Sequence, residues 1–266
     1  MDSPSRRLIA ERIARGAGDL LLGYFGGPLG IEHKGSVDLV TNADRAAEDW
    51  ILEELRREFP GEAVLAEEGG GAVDARATWI VDPLDGTTNF AHGLPIWSVS
   101  IAWVVEGVPE VGVVFDPSRG ECFSAARGYG ATRNGDPIAV SSCRELGNAV
   151  LVTGFPYDVQ TSDVNNLDHF ANFIRRARAV RRLGSAAIDL CWTACGRFDA
   201  FWELKLKAWD MAGGALIVQE AGGRVTDFRG AELDLFAGEL TAGPPELLPS
   251  LWDVLARGKR THSAGG

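Results

Sequence analysis

Two aspartates stand three residues apart where an apolar run ends, in the segment WIVDPLDGTTNF (residues 79–90). Asp82 and Asp85 are followed at once by a glycine and two threonines. Two carboxylates about 4 Å apart repel by roughly 1 kcal/mol in water and about 4 kcal/mol at an effective dielectric constant of 20. Protonation, a basic side chain or a divalent cation relieves such repulsion. Because no lysine or arginine lies in this segment, a divalent cation is the favoured counter-charge.

The turn after Asp82 also has the groups that an anion site needs. A proline fixes the backbone there, so the carbonyl of Leu84 can point the same way as both aspartates. Gly86 permits an unusual backbone angle, and the N–H groups of Gly86, Thr87 and Thr88 would be free at the start of a short helix. Such N–H groups bind anions, phosphate above all. Metal ligands beside a helix start predict a phosphoryl-transfer site.

Three other segments also place acids at the ends of secondary-structure elements. Glu67 and Glu68 close a short strand in AEEGG, Asp210 begins a helix in KLKAWDMAGG, and Asp44 begins another in DLVTNAD. Each acid has an ordinary interpretation, since glutamates are mostly solvated and aspartates, Asp85 included, are favoured at helix starts. The metal-site hypothesis therefore depends on whether these four segments meet in the folded chain.

Length and composition restrict the class of protein. The 266 residues are 45% hydrophobic, enough for one large domain or two closely packed halves. No apolar stretch reaches the roughly 20 residues of a membrane span. The N-terminus lacks the continuous apolar core of a signal peptide, so we expect a cytoplasmic protein without a membrane partner.

Charge and metal-binding side chains narrow the class further. The net charge of −11 argues against nucleic acid as a partner, which needs basic surface. The one basic run, Arg175 to Arg182, is interpreted as the solvated end of a helix. The four cysteines form no CxxC pair and the four histidines are scattered. A bound metal must therefore be held mainly by carboxylates, which selects hard ions such as Mg²⁺.

The pattern of elements changes near residue 144. Up to there, apolar spacing predicts two helices, ended by glycine and proline clusters, and then antiparallel strands over 79–81, 96–105, 111–117, 121–126 and 137–140. From about 145 to 260, strands alternate with helices over 166–178, 184–196 and 208–223 and a last helix near 249. We expect one α/β domain over 1–266, built from sub-halves 1–144 and 145–260.

The chain resembles the inositol monophosphatase family of magnesium-dependent, lithium-sensitive phosphatases. The matching segments are KGSVDLVTNAD, GEAVLAEEGG, WIVDPLDGTTNFAHGLP, LGSAAIDLCWTACGRFDAFWE and KLKAWDMAGGALIVQEAGG, from about residue 34 to 227. The Asp-Pro-x-Asp-Gly-Thr motif alone fixes five letters. The resemblance implies a layered α-β-α-β-α sandwich of the type shared with fructose-1,6-bisphosphatase, and a homodimer.

The resemblance also implies two to three Mg²⁺ ions per site and inhibition by Li⁺. Glu67, Asp82 and the Leu84 carbonyl match the ligands of a first ion. Asp82, Asp85 and Asp210 match those of a second, and Glu67 also matches a residue that helps to hold a third ion through water.

Other positions match the family's catalytic and substrate residues. Thr87, with Asp44 behind it and Glu67 nearby, matches the group that orients the attacking water. The implied substrate contacts are Asp85, Gly86, Thr87, Thr88, Ser185, Ala186 and Glu203, with Glu68 and Lys34 in supporting positions. For Glu203 the ordinary alternative is an exposed acid after a strand.

The implied activity is hydrolysis of inositol 1-phosphate by metal-activated water, without a phosphoenzyme. Fructose-1,6-bisphosphate, histidinol phosphate and nucleotide 3′-phosphates are alternative substrates, and a regulatory binding role on the same fold is a further alternative. A haloacid-dehalogenase mechanism is excluded because Pro83 would occupy the nucleophile position. A calcium EF-hand is excluded because Gly86 is the fifth residue counted from Asp82, where glycine should be sixth.

Overall fold

Alternating layers of helices and sheets build the fold of the residues that the computed structural model describes, namely 1–33, 39–71, 73–74 and 76–258. A pair of helices, an eight-stranded sheet, a second pair of helices, a five-stranded sheet and a third pair of helices follow one another. This order confirms the predicted α-β-α-β-α sandwich. Lys34 lies outside the described residues.

The first layer contains α1 (Ser3–Tyr24) and α2 (Asn42–Glu58), joined through a small hairpin of β1 (Ile31–His33) and β2 (Leu39–Thr41). Their apolar faces pack against each other and against the eight-stranded sheet. Helix α2 begins with a capping box, in which the backbone N–H of Thr41 donates to Asp44 over 2.9 Å.

The eight-stranded sheet comes from the first half of the chain. Its strands are β3 (Ala63–Ala66), β4 (Gly70–Gly71), β5 (Ala77–Asp85), β6 (Ser98–Val105), β7 (Val108–Asp116), β8 (Glu121–Ala126), β9 (Ala131–Arg133) and β10 (Asp136–Pro137), in the spatial order β10-β9-β8-β7-β6-β5-β3-β4. Strand β3 pairs in parallel with β5, and the other neighbours pair antiparallel. The carboxyl ends of β3 and β5 therefore lie side by side, which brings their terminal acids to one edge.

The five-stranded sheet comes from the second half. Its strands are β11 (Val150–Thr153), β12 (Ala179–Arg181), β13 (Ala200–Leu204), β14 (Arg224–Thr226) and β15 (Glu239–Gly243), in the spatial order β12-β11-β13-β15-β14. Strand β11 is parallel to both of its neighbours.

Helices cover both faces of this second sheet. They are α4 (Leu167–Ile174), α5 (Ala186–Ala194), α6 (Ala208–Glu220) and α7 (Leu248–Gly258), whereas the short α3 (Thr87–Ala91) follows β5 and contacts β2. The pair α5 and α6 fills the space between the sheets, and α4 and α7 form the outer layer. None of the helices in the described ranges has the length and apolarity that crossing a bilayer requires.

Helix α6 lies directly on the eight-stranded sheet because small residues face each other there. A Cβ added to Gly112 of β7 would be 2.5 Å from the carbonyl oxygen of Gly213 in α6. This close approach fixes the start of α6, and with it Asp210, relative to the strands.

Several predicted elements differ from the structure. The helix expected over 166–178 ends at Ile174, and the basic run continues into β12, because the chain there pairs with β11 instead of extending the helix. That interpretation of the basic run as a helix end was wrong. The strand expected over 137–140 stops at Pro137, since the N–H of Val140 bonds to the carbonyl of Ala221. Strand β15 gave no sequence signal, because its alanine and glycine are uncommon in strands.

Candidate active site

A cavity of about 520 Å³ opens where the carboxyl ends of strands meet the starts of helices. The predicted site residues that line it are Glu67, Asp82, Leu84, Asp85, Gly86, Thr87, Thr88, Ser185, Ala186, Glu203 and Asp210. Asp44 and Glu68 lie outside its lining: Asp44 contacts the wall from behind through Thr87, and Glu68 follows Glu67 in the loop after β3. The four acidic segments that are separate in sequence therefore meet around one cavity.

A β-bulge explains how Asp82 and Asp85 both line the cavity. Side chains of a regular strand alternate between faces, so residues three apart should point in opposite directions. Asp82 pairs with Ser100 and Asp85 with Ser98, so three steps on β5 correspond to two on β6. The extra residue places both carboxylates in the cavity wall, as bulges near active sites commonly do.

Asp82 is the most deeply buried of the acids that line the cavity, with 1% of its surface exposed. Burial and, after it, the charges of Glu67, Asp85 and Asp210 raise the pKa of Asp82 well above its usual value. Its Oδ1 accepts one hydrogen bond, from the N–H of Leu84 at 3.0 Å. Among the described residues Asp82 forms no ion pair with a lysine or arginine, so its charged form has little compensation within the protein.

Asp85 is held by the start of α5. The hydroxyl of Ser185 donates to its Oδ2 over 2.6 Å, and the N–H groups of Ala187 and Ala186 donate over 2.8 and 3.3 Å. Burial raises the pKa of Asp85, and these hydrogen bonds lower it. A carboxylate at a helix start also interacts favourably with the helix dipole. Ser185 and Ala186 thus orient Asp85, a role that their sequence positions did not indicate.

The loop that carries Glu67 is tied to α2 by Glu48. The carboxylate of Glu48, which is 4% exposed, accepts hydrogen bonds from the N–H of Glu68 at 2.9 Å and of Gly69 at 2.6 Å. On the other side, the N–H of Glu67 donates to the carbonyl of Val81. Glu67 is therefore fixed from both flanks. Glu48 was missed because nothing in its helical surroundings distinguishes it from a surface glutamate.

Thr87 and Asp44 form a buried pair across the site. The Oγ1 of Thr87 lies 3.0 Å from Oδ1 of Asp44 and 3.0 Å from the carbonyl oxygen of Leu84. The other oxygen of Asp44 accepts from the N–H and hydroxyl of Thr41. Gly86, which precedes Thr87, has φ +95°, a backbone conformation that glycine adopts without strain.

Glu203 and Asp210 complete the acidic wall. The N–H of Lys207 donates to Oδ2 of Asp210 at 2.7 Å, while burial and the charges of Asp85 and Glu67 raise the pKa of Asp210 well above its usual value. Glu203 is 9% exposed, and burial raises its pKa from 4.5 to about 8. The alternative of an exposed acid after β13 is wrong for Glu203.

These donors fit Mg²⁺ by their chemistry. Carboxylate oxygens from four segments and the Leu84 carbonyl are hard oxygen ligands around one cavity, and Asp82 in particular lacks a compensating charge. In the parts of the chain that the structure describes, no three histidine, cysteine, aspartate or glutamate side chains are arranged so that they could hold a metal ion as they stand. Because like charges repel, a cation is what would draw these carboxylates together.

Comparison with known proteins agrees with this geometry. The model of the inositol monophosphatase family matches residues 4–257. The chain belongs to the inositol monophosphatase family. The inositol-1-monophosphatase of Synechocystis is 46% identical over 252 residues, which cover 93% of this chain and 88% of that protein. A protein of Pseudomonas aeruginosa called Nus factor SuhB is 44% identical over 253 residues, which cover 91% of this chain and 93% of that protein.

Solved structures of family members superpose closely. The inositol monophosphatase of Anabaena has a TM-score of 0.88 at 41% identity, with 96% of each chain covered. The extragenic suppressor protein SuhB of Bartonella henselae has a TM-score of 0.89 at 39% identity, with 96% of this chain and 99% of that chain covered. The family assignment and the fold expected from the sequence are both confirmed.

Without divalent cations, we expect the free energy of unfolding to fall as pH rises from about 5 to about 8. A carboxyl whose pKa is higher in the folded state than in the unfolded state stabilises the fold below its unfolded-state value, and this contribution is lost as pH rises through the folded-state value. For Glu203 that window runs from 4.5 to about 8, and Asp82 and Asp210 shift in the same direction. Urea unfolding across this range, in EDTA and in excess Mg²⁺, measures the effect.

Mg²⁺ should flatten this pH dependence by stabilising the ionised acids, and Glu203→Gln should reduce the slope seen in EDTA. A pH dependence that is identical in EDTA and in Mg²⁺ would contradict the assignment of a cation to these acids.

Replacing Glu48 tests its hold on the Glu67 loop. Glu48→Gln keeps one acceptor oxygen but loses one of the two hydrogen bonds, so we expect faster hydrogen exchange at the Glu68 and Gly69 amides and about 1 kcal/mol less stability. Glu53→Gln, on the exposed face of the same helix, is the matched control and should change stability by less than about 0.5 kcal/mol. Unchanged exchange at both amides in Glu48→Gln would show that the tether does not hold the loop in solution.

Proposed function

We propose that this protein is a Mg²⁺-dependent phosphomonoesterase that hydrolyses inositol 1-phosphate to inositol and phosphate. The observation that carries the proposal is the meeting of Glu67, Asp82, Asp85 and Asp210 around one cavity, with Asp82 buried and without a basic partner among the described residues. The similarity to an inositol-1-monophosphatase supports the choice of substrate.

The residues that would hold the metal line the cavity, and the family resemblance divides them among the ions. Glu67, Asp82 and the Leu84 carbonyl would bind one Mg²⁺, and Asp82, Asp85 and Asp210 a second, with Glu67 also contributing to a third. The chemistry that bound Mg²⁺ supplies is a more acidic water molecule and neutralisation of phosphate charge. Li⁺ is the expected inhibitor.

Thr87 and Asp44 would orient the attacking water. When the Thr87 hydroxyl donates to Oδ1 of Asp44, its lone pairs face the cavity and can accept a hydrogen bond from water. Thr41 holds Asp44 by two hydrogen bonds, so the acceptor cannot turn away. The oriented water would become the nucleophile by giving up a proton to a carboxylate of this acidic wall.

The phosphate would lie against the start of α3. The N–H groups of Gly86, Thr87 and Thr88 stand at that start, and all three residues line the cavity. Arg182 and Lys207 also line the cavity and add positive charge at its edge. Their side chains would attract an anionic substrate to an otherwise acidic protein.

The polyol would contact Glu203 and Asp85. Both are buried carboxylates in the cavity wall that can accept hydrogen bonds from ring hydroxyls. Because the Ser185 hydroxyl and the Ala186 N–H already donate to Asp85, these two residues would act on the substrate chiefly by fixing Asp85.

Other properties are proposed from family membership. We expect a homodimer on this ground. The cytoplasmic location and the single domain with sub-halves 1–144 and 145–260 are proposed from the sequence patterns described above. The same acidic wall would serve each of the other substrates considered above. Only a comparison of the rates at which they are cleaved therefore distinguishes them.

A regulatory binding role is a second candidate. The observation that favours it is the name Nus factor carried by relatives such as the 44% identical protein of Pseudomonas aeruginosa. Such a role does not require the acidic wall to turn over a substrate, so the activity of the purified protein distinguishes the two candidates.

Phosphate release measures the proposed activity. With Mg²⁺, we expect the purified protein to cleave inositol 1-phosphate faster than fructose-1,6-bisphosphate, histidinol phosphate or a nucleotide 3′-phosphate, and EDTA or Li⁺ to inhibit it. Asp82→Asn should lower the rate by more than about 100-fold, because even changes behind a metal ligand cost 10- to 100-fold. Asp19→Asn, an exposed site on α1, is the control.

A wild-type protein that releases no phosphate from any of these esters in Mg²⁺ would refute the enzyme proposal and favour the binding role. Full activity in Asp82→Asn would refute the role of Asp82 alone.

A further inference from the structure

Gly154, directly after β11, is in contact with the carboxylate of Glu203. A Cβ added to Gly154 would lie 2.1 Å from Oε1 of Glu203 and 2.4 Å from Oε2, far inside normal contact distance. The three atoms nearest to this added Cβ all belong to the Glu203 carboxylate, and φ of Gly154 is not in the left-handed region. The glycine is therefore needed here to leave room for the Glu203 carboxylate, and not to allow an unusual backbone conformation.

A buried hydrogen-bond network fixes Gly154 and Glu203 relative to each other. Nδ2 of Asn166 donates to Oγ1 of Thr153 at 2.7 Å and to the carbonyl of Gly154 at 2.6 Å. Nε1 of Trp202 donates to Oδ1 of Asn166 at 2.8 Å, and the Thr153 hydroxyl donates to the Trp202 carbonyl at 2.5 Å. Asn166, Thr153 and Trp202 are fully buried. A shift of either strand end to make room for a larger residue would break these buried hydrogen bonds.

The surroundings also limit where the Glu203 carboxylate can go. Asp189 of α5 is 1% exposed, its two carboxylate oxygens have no hydrogen-bond partner among the described residues, and its charge interacts unfavourably with that of Glu203. Asp210 and Asp85 repel Glu203, whereas Arg182, which also lines the cavity, attracts it. The contact with Gly154 adds no charge to this environment, and closing it would move the carboxylate from the position that its charged neighbours leave to it.

We propose that Gly154 is a positioning residue that determines specificity for polyol monophosphates. Because Gly154 has no side chain, the Glu203 carboxylate can lie against the backbone of Gly154. In this position the carboxylate accepts a hydrogen bond from a substrate hydroxyl. The inference rests on the proposed function, since it requires a phosphatase site in this cavity. It assigns to Gly154 no part in the cleavage of the phosphate ester.

Two esters separate this role from a general effect. Inositol 1-phosphate carries ring hydroxyls, and p-nitrophenyl phosphate carries none. In Mg²⁺ we expect Gly154→Ala to lower kcat/KM for inositol 1-phosphate by about 10-fold or more, since a displacement on the order of 1 Å at an active site has a large effect on rate. The value for p-nitrophenyl phosphate should stay within about 2-fold of wild type, which also shows that the variant is folded.

A double-mutant cycle tests whether Gly154 acts through Glu203. In a Glu203→Ala background the added methyl group meets no carboxylate, so Gly154→Ala should have no further effect on either ester. Gly147→Ala is the matched control, because its Cβ would meet no atom closer than 3.9 Å. It should behave as wild type with both esters.

The outcomes distinguish the inference from the proposed function. The inference is overturned if Gly154→Ala lowers kcat/KM equally for both esters. It is also overturned if Gly154→Ala causes the same loss of kcat/KM for inositol 1-phosphate in the Glu203→Ala background as in wild type. If the wild type cleaves inositol 1-phosphate and Gly154→Ala cleaves it equally fast, the inference is overturned and the proposed function stands. A wild type that does not cleave inositol 1-phosphate refutes the proposed function, and the inference with it.

Discussion

Repulsion between carboxylates is the constraint on which the rest of this structure depends. Asp82 is buried beside three other acids, and burial together with their charges raises its pKa well above the usual value. Groups of this kind destabilise a fold unless a proton or a cation compensates them. Keeping them together therefore destabilises the fold, and the surrounding layers must offset this. A divalent cation bound among these acids, as we propose, would relieve the repulsion.

The acids are held in place by backbone geometry more than by basic side chains. The bulge in β5 turns Asp82 and Asp85 to the same cavity, the start of α5 supplies hydrogen bonds to Asp85, and the parallel pairing of β3 with β5 brings Glu67 beside them. Glu48 and Asn166 act one step further back, by fixing the loops that carry the functional groups. Small residues between α6 and the sheet let Asp210 approach from the second half of the chain.

Much of this arrangement was predictable from the sequence, for definite physical reasons. Acids at element ends, glycine after Asp85 and long apolar periodicities are local signals, and the family motifs connected them into one site and one layered fold. The supporting contacts were not predictable, because they depend on partners far along the chain. Glu48 lies 20 residues from the amide it holds, and Ser185 lies 100 residues from Asp85. Strand β12 was misread because the basic run around it, Arg175 to Arg182, suggests a solvated helix end, whereas pairing with β11 decides its conformation.

Diffraction from crystals grown with Mn²⁺ tests the central claim most directly, because the anomalous signal of the metal marks its position independently of the protein atoms. The account predicts peaks between Glu67, Asp82 and the Leu84 carbonyl, and between Asp82, Asp85 and Asp210, with both lost in Asp82→Asn. A crystal in which Mn²⁺ binds elsewhere, while these four acids stay apart with no metal among them, would contradict it.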